Sequence, residues 1–275
     1  MSTETAIHPS AVIAPGAELD HGVRVGPYAV IGQQVHIGRD SSIGPHSVVE
    51  GHTTIGCENQ IFQFASVGAI PQDKKYQGED SRLTIGDRNT IREFATLNTG
   101  TTGGGLVTRI GNDNLFMVYS HVGHDCQIGN NVILANCATL AGHVLLEDYV
   151  GVGGLAAIHQ FTRVGESAYL GGGAMVSLDV PPYCVAQGDR ARLFGLNLIG
   201  LKRRGFGEEQ LNALKKAYRT LFAEGLTLKE AADRTRQEQA SSPEVVHLTD
   251  FIASSQRGIC RPRRNAGQES EDDLG

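Results

Sequence analysis

An aliphatic residue recurs at every sixth position over most of the chain. The first run goes from Ile7 through Ile13, Leu19, Val25 and Ile31 to Ile61 and Val67 without a break. It resumes at Ile85, Ile91 and Leu97, and again from Ile110 through Phe116, Val122 and Ile128 to Leu170 and Val176. Two positions before many of these stands a small or β-branched residue, such as Ala11, Ala17, Val23, Ser41, Thr53, Cys126, Ala138 or Ala156. Residues two apart on a strand share a face, so the aliphatic residue and the small one before it both point inward.

A period of six held this long is the mark of a hexapeptide-repeat parallel β-helix. Each hexad makes one short strand and a corner, and three hexads, 18 residues, close a triangular coil. With coils spaced like strands at roughly 4.8 Å, Ile7 to Val176 give about ten coils and a prism about 45–50 Å long. The pattern predicts a mainly-β chain with the β-helix over residues 1–189. It is interrupted twice. Residues 69–82 (AIPQDKKYQGEDSR) keep the phase but not the pattern, and read as a polar loop thrown outward. The gap of 13 between Leu97 and Ile110 accommodates one extra residue in a Gly-rich stretch, a second loop over 99–108. Loops on a rigid scaffold are where function concentrates.

After Pro181 and Pro182 the period changes, and Leu211, Leu214, Tyr218, Leu221 and Phe222 recur at helical spacing. Glu208 and Glu209 suit a helix N-terminus. Thr227 with Glu230 makes a capping box, and Ser242 before Pro243 reads as a cap followed by proline in the first turn. A helical domain over 190–260 and a polar, disordered tail over 261–275 complete the expected organisation.

Composition narrows the function. A net charge of −6 argues against a nucleic-acid binder, whose affinity rests on a basic face. There is no apolar run long enough to span a membrane and no charged-then-apolar leader, so a soluble cytoplasmic protein is expected. The five cysteines are odd in number, scattered and without a CxxC pair. Cys126 falls in an interior slot of the repeat and reads as packing.

Of the ten histidines, His8, His21, His36, His46 and His52 read as surface residues of the early coils. His121, His124, His143 and His159 instead gather beside the second loop. His124, Gly142 and Gln160 are spaced by 18, so they stack on one edge. An imidazole beside a glycine suits acyl transfer: the base takes a hydroxyl proton, and an exposed N–H stabilises the oxyanion. Two rivals share the residues. Three histidines at an edge also make a catalytic zinc site, and a prism can serve as a passive scaffold. No serine elbow or phosphate-binding P-loop offers another chemistry.

The segments HVGHDCQIGNN (121–131), ILANCATLAGHV (133–144), AAIHQF (156–161), DVPPY (179–183), AQGD (186–189) and GLKRRGF (200–206), with QFASVG (63–68) and PQDKKYQGE (71–79), resemble the UDP-N-acetylglucosamine O-acyltransferases that open lipid A synthesis in Gram-negative bacteria. The resemblance runs from the first hexads to about residue 261. It implies a left-handed coil and a homotrimer with sites between subunits. It also implies direct transfer of a (3R)-3-hydroxyacyl group from acyl carrier protein to the sugar 3-hydroxyl, without acyl-enzyme, cofactor or metal.

By the same resemblance His124 is the general base, Gly142 the oxyanion donor, and Asp125 orients His124. Neighbouring residues of a strand point to opposite sides, so that last role needs a corner between them. Gln72, Asp73, Lys75, His121, His143, His159 and Gln160 would contact donor or sugar. Asn197, Arg203 and Arg204 would reach phosphates, and Gly171, Gly172 and Gly173 would leave room for the acyl chain. Lys202, Arg203, Arg204, Lys215, Lys216 and Arg219 form a basic group on which an acidic carrier protein can dock. The chain departs from the family in two places. Asn98-Thr99-Gly100 stands where His-Arg-Gly is common, and Ile199 where a Glu is often found. Both remove groups that could meet the acceptor, which opens a second possibility: a UDP sugar with a 3-amino group, acylated to an amide.

Overall fold

The structure, a computed structural model, describes residues 4–223 and 225–262. Among them, short strands form three sheets of 11, 9 and 8 strands, and up to the end of the first sheet each strand pairs in parallel with the one three strands later. Ile7 pairs with Val25, Ile13 with Ile31 and Leu19 with Ile37, so the 18-residue spacing is the coil itself. The result is the parallel β-helix expected from the repeat, left-handed as the resemblance implies. Its interior is a column of the hexad residues, with Ile31, Ile37, Ile55, Ile91, Leu97, Phe116, Leu134 and Leu140 fully buried. Each such side chain contributes about 1.5–3 kcal/mol.

Two hydrogen-bond directions hold the coils together. Strand N–H groups donate forward, as from His8 to Val25 O and from Val12 to Ala29 O. Corner residues with positive φ, among them Asp40, His46, Phe64 and His143, donate backward to the previous coil. His46 N–H reaches Pro27 O at 3.1 Å and His143 N–H reaches His124 O at 2.9 Å. A left-handed backbone costs a non-glycine residue roughly 1–2 kcal/mol, and this bond offsets it at each corner. At one corner three asparagines buried in the interior continue the ladder: Asn59 Oδ1 accepts from Asn89 N–H, Asn89 Oδ1 from Asn114 N–H, and Asn114 Oδ1 from Val132 N–H.

The loops are larger than the phase suggested. Ser66 pairs with Thr96, 30 residues on, and Thr96 with His121, 25 on, where a plain coil uses 18. The second loop therefore carries seven residues beyond a plain coil, not one; the count of 13 hid a whole extra hexad because period alone cannot distinguish a strand from a loop of equal length. Asn98 and Thr99 lie buried at its root. Asn98 Nδ2 donates to the carbonyls of Ala69 and Ile70, and Thr99 Oγ1 accepts from Ser81 Oγ at 2.9 Å. Their polar atoms tie the two loops together instead of facing outward.

A strand over Arg192–Leu196 closes the first sheet in antiparallel fashion, and four helices follow: α1 (Leu198–Arg203), α2 (Glu208–Ala223), α3 (Leu228–Glu238) and α4 (Pro243–Ala253). The capping box at Thr227 and Glu230 and the Ser242 cap are both formed. A second apolar cluster, including Leu211, Leu214, Leu248 and Phe251, binds the helices to one another. Of the tail expected to be disordered, Arg261 and Pro262 bridge to Leu193; residues 263–275 lie outside the described residues.

One long edge of the prism carries a stack of rings. Tyr28, His46, Phe64, Phe94 and Tyr119 occupy equivalent corners of successive coils, with centroids 4.8–5.2 Å apart and planes within 16° of parallel. His46, read as an isolated surface residue, is part of this ladder.

Candidate active site

The edge opposite across the second sheet holds the histidines. His124 and Asp125 are neighbours in sequence, but Asp125 has φ 61° and the chain turns there. The corner brings the two side chains together, with His124 Nδ1 2.8 Å from Asp125 Oδ2. The Asp125 side chain is 0% exposed and that of His124 is 16%. A carboxylate only accepts, so Nδ1 carries the proton and Nε2 presents a lone pair. Gly142 lies one coil on, in contact with this ring; a Cβ there would stand 2.5 Å from Nε2. Among the described residues the Gly142 N–H has no protein acceptor.

His143 meets His124 edge to face at 5.0 Å and stacks on Phe161 at 4.4 Å. Its Nε2 is 3.7 Å from Asp125 Oδ2. Burial, the largest cause, holds His143 below the ordinary histidine value despite the opposing pull of Asp125 and Asp73, so the ring is neutral near pH 7. His121 is neutral for the same reason, and its Nδ1 lies 2.7 Å from Thr96 Oγ1. His159 and Gln160 are exposed a coil further on, with Arg257 Nη2 3.2 Å from His159 Nδ1.

From the first loop, Gln72 and Lys75 are exposed, and Asp73 caps the turn by accepting from Lys75 N–H at 2.9 Å. Arg203 is exposed on α1. Asn197 and Arg204 are engaged elsewhere. Asn197 caps α1 by accepting from Gly200 N–H and donates to Ser167 O. Arg204 pairs with Glu166 at 2.6 Å, bonds to Ser167, and stacks 3.6 Å above the Tyr149 ring. Both side chains fasten α1 to the prism. Gly171 is needed where it stands, since a Cβ would be 2.6 Å from Gln187 Cγ, whereas Gly172 and Gly173 are open to solvent.

His124, Asp125 and His143 put one ligand atom each within 4.8 Å of one another, and so can approach a metal ion. Among the described residues His121 and His159 do not join this group within one chain. Asp125 moreover has both oxygens bonded, to Thr101 as well as to His124. The arrangement is an imidazole oriented by a buried carboxylate, next to a backbone N–H that has no protein acceptor among the described residues. Sequence reasoning did not find Thr101, Phe161, Thr96 or Arg257, none of which belongs to the histidine spacing that guided it.

The chain is similar to known proteins over most of its length. The family described as "Udp N-acetylglucosamine O-acyltransferase; Domain 2" matches residues 179–260, and "Bacterial transferase hexapeptide (six repeats)" matches 16–51 and 108–142. The chain is 56% identical over 93% of its length to acyl-(acyl-carrier-protein)–UDP-N-acetylglucosamine O-acyltransferase of Janthinobacterium sp. (strain Marseille), covering 99% of that protein. It is 56% identical over 93% of its length to the protein of the same name from Myxococcus xanthus, again covering 99% of it. The solved UDP-N-acetylglucosamine acyltransferase from Campylobacter jejuni superposes with TM-score 0.90 at 45% identity, over 94% of this chain and 100% of that one. The chain belongs to the acyl-(acyl-carrier-protein)–UDP-N-acetylglucosamine O-acyltransferase family.

Proposed function

We propose that the chain transfers a (3R)-3-hydroxyacyl group from acyl carrier protein to the 3-hydroxyl of UDP-N-acetylglucosamine in the cytoplasm, as the first step of lipid A synthesis. The observation that carries this reading is the His124 ring, backed by buried Asp125 at 2.8 Å and flanked by Gly142, whose N–H is unused.

His124 Nε2 takes the proton of the 3-hydroxyl as its oxygen attacks the thioester carbonyl carbon. Asp125 stabilises the imidazolium that forms, and the Gly142 N–H meets the oxyanion. Collapse breaks the C–S bond, and the imidazolium returns its proton to the departing sulfur. The ester and the carrier thiol are the products, with no covalent enzyme intermediate. Neutral His121 and His143 serve as hydrogen-bonding groups for sugar or donor, while Gln72, Asp73, Lys75, His159, Gln160 and Arg203 border the opening. The open backbone at Gly172 and Gly173 accommodates the acyl chain.

The enzyme acts as a homotrimer. The exposed ring ladder and the uncharged outward row Val12, Val30 and Val48 share one side of the prism. The third sheet instead turns Glu18, His36, Arg109 and Arg163 outward. A threefold axis along the ladder buries the first side, leaves the charged sheet in water and lays a partner's first sheet beside the histidines. Asn98 and Thr99, buried and bonded within the loops, give no support to a 3-amino acceptor.

The test is mass spectrometry of products from 3-hydroxyacyl carrier protein with UDP-N-acetylglucosamine, and separately with its 3-amino analogue. An ester from the wild type, lost in a folded His124→Ala protein, is expected. A preference for the amine would change the acceptor, and substantial turnover by His124→Ala would remove His124 as base.

A further inference from the structure

The second loop acts on the base as well as bordering it. It opens with Thr101 in extended backbone, heading a short 3₁₀ turn over Thr102–Gly104. A threonine in that place ordinarily caps the turn with its hydroxyl, but here no side-chain cap bond forms. The hydroxyl goes to Asp125 Oδ2 at 2.5 Å, and the Thr101 N–H goes to Asp125 Oδ1 at 2.8 Å. At the other end of the loop Thr108 Oγ1 accepts the Asp125 N–H at 2.8 Å.

The glycines explain how the backbone comes so near. A Cβ on Gly104 would overlap the Asp125 carboxyl, and one on Gly100 would be 2.8 Å from Oδ1. The loop thus lies directly on the carboxylate and seals it from water. Thr102, the next residue, bonds to Glu79 Oε1 through its hydroxyl at 3.1 Å and its N–H at 3.3 Å. Glu79 lies in the first loop, so both loops are joined to Asp125 through two adjacent threonines.

We propose that Thr101 is a positioning residue for acyl transfer: through Asp125 it fixes the orientation of His124 and sets its strength as a base. The proposal rests on His124 being that base. A carboxylate removed from water needs donors to meet its charge, and Asp125 has three: the Thr101 N–H, the Thr101 hydroxyl and His124 Nδ1–H. The hydroxyl and the imidazole share Oδ2. Taking the hydroxyl away leaves more of the carboxylate charge for His124, which favours the imidazolium. The free base is then scarcer at any given pH, and the ring loses one of the contacts that hold its partner still.

The test compares Thr101→Val, which keeps the shape and backbone N–H but lacks the hydroxyl, with Thr101→Ser, which keeps the donor, and with His124→Ala. Thermal melts and kcat/KM against pH are measured for each. For Val we expect kcat to fall about tenfold or more through misplacement of the base, with KM for both substrates nearly unchanged. The acidic limb of its profile should move to higher pH, and Ser should restore most of the loss. An unaltered profile for Val beside an inactive His124→Ala protein overturns the role of Thr101 and spares that of His124; an active His124→Ala protein overturns both. If Val does not fold, Thr101→Ala is compared with Ser in its place: separated profiles support the proposal and coincident ones overturn it.

Discussion

Gly142 and His124 are held so close that the glycine's missing side chain is part of the site. Any Cβ at position 142 would push against the imidazole at Cε1 and Nε2, the side that receives the proton in the proposed reaction. Gly142→Ala keeps the backbone N–H and has an ordinary φ, so the fold should tolerate it. Since a displacement of about 1 Å at a reacting group costs on the order of 100-fold in rate, kcat should drop by about that factor. The melting temperature should stay within a few degrees. Steady-state kinetics with a thermal melt check both. This pair was legible in the sequence, because a spacing of 18 puts two residues in register whatever the coil contains. Thr101 was not legible. It belongs to a loop without period, and its target, Asp125, is reached only because two glycines let the backbone descend. Asn197 and Arg204 were legible as a motif but not as a direction: only the packed joint shows that one caps α1 and the other lies over Tyr149.

Among elements, the joint between α4 and the prism is where charge matters most. His247 on α4 lies 2.9 Å from Glu147 and 3.5 Å from Glu166, both on corners of the last coils, with the Tyr183 hydroxyl 3.0 Å from its Nδ1. Hydrogen bonds to Glu147 and then Glu166 raise His247 to about 9. Those from His247 and Arg204 lower Glu166 to about 2. A histidine raised in the folded state contributes stability that is whole below about 6.5 and disappears as pH climbs through about 9. The Glu166 contribution is whole above its unfolded value and is lost only in acid, as pH falls through about 2. Both are therefore complete near pH 5–6. His247→Gln should cost about 2 kcal/mol there, a figure reduced for the ring's one-third exposure, and almost nothing above about pH 10. Melting curves of the two proteins across pH 5–10 should accordingly converge at the alkaline end; a gap that stays constant would mean that His247 acts by packing alone. The helices themselves were visible in the sequence through caps and period, whereas this joint was not, since it pairs residues about 80 to 100 positions apart with no shared pattern.

At the scale of the whole molecule the ring ladder must be covered. Rows of exposed rings stacked over five coils form an apolar strip of a size that monomers seldom leave in water. Phe94 stands in the middle of the row, 40% exposed and flanked by Phe64 and Tyr119. Its side chain is outside the prism core, so the single chain should fold with aspartate in its place. Around the proposed threefold axis, however, Phe94→Asp brings three carboxylates together among rings, and each buried charge without a partner costs several kcal/mol. The assembly should come apart. Light scattering would then report the mass of one chain in place of three, circular dichroism would keep the β-helix spectrum, and acyl transfer would fall with the mass because the histidine edge has lost its facing wall. A Phe94→Asp protein that stays trimeric and active would move the axis to another edge. A chain that is monomeric yet fully active would show that one prism holds the complete site.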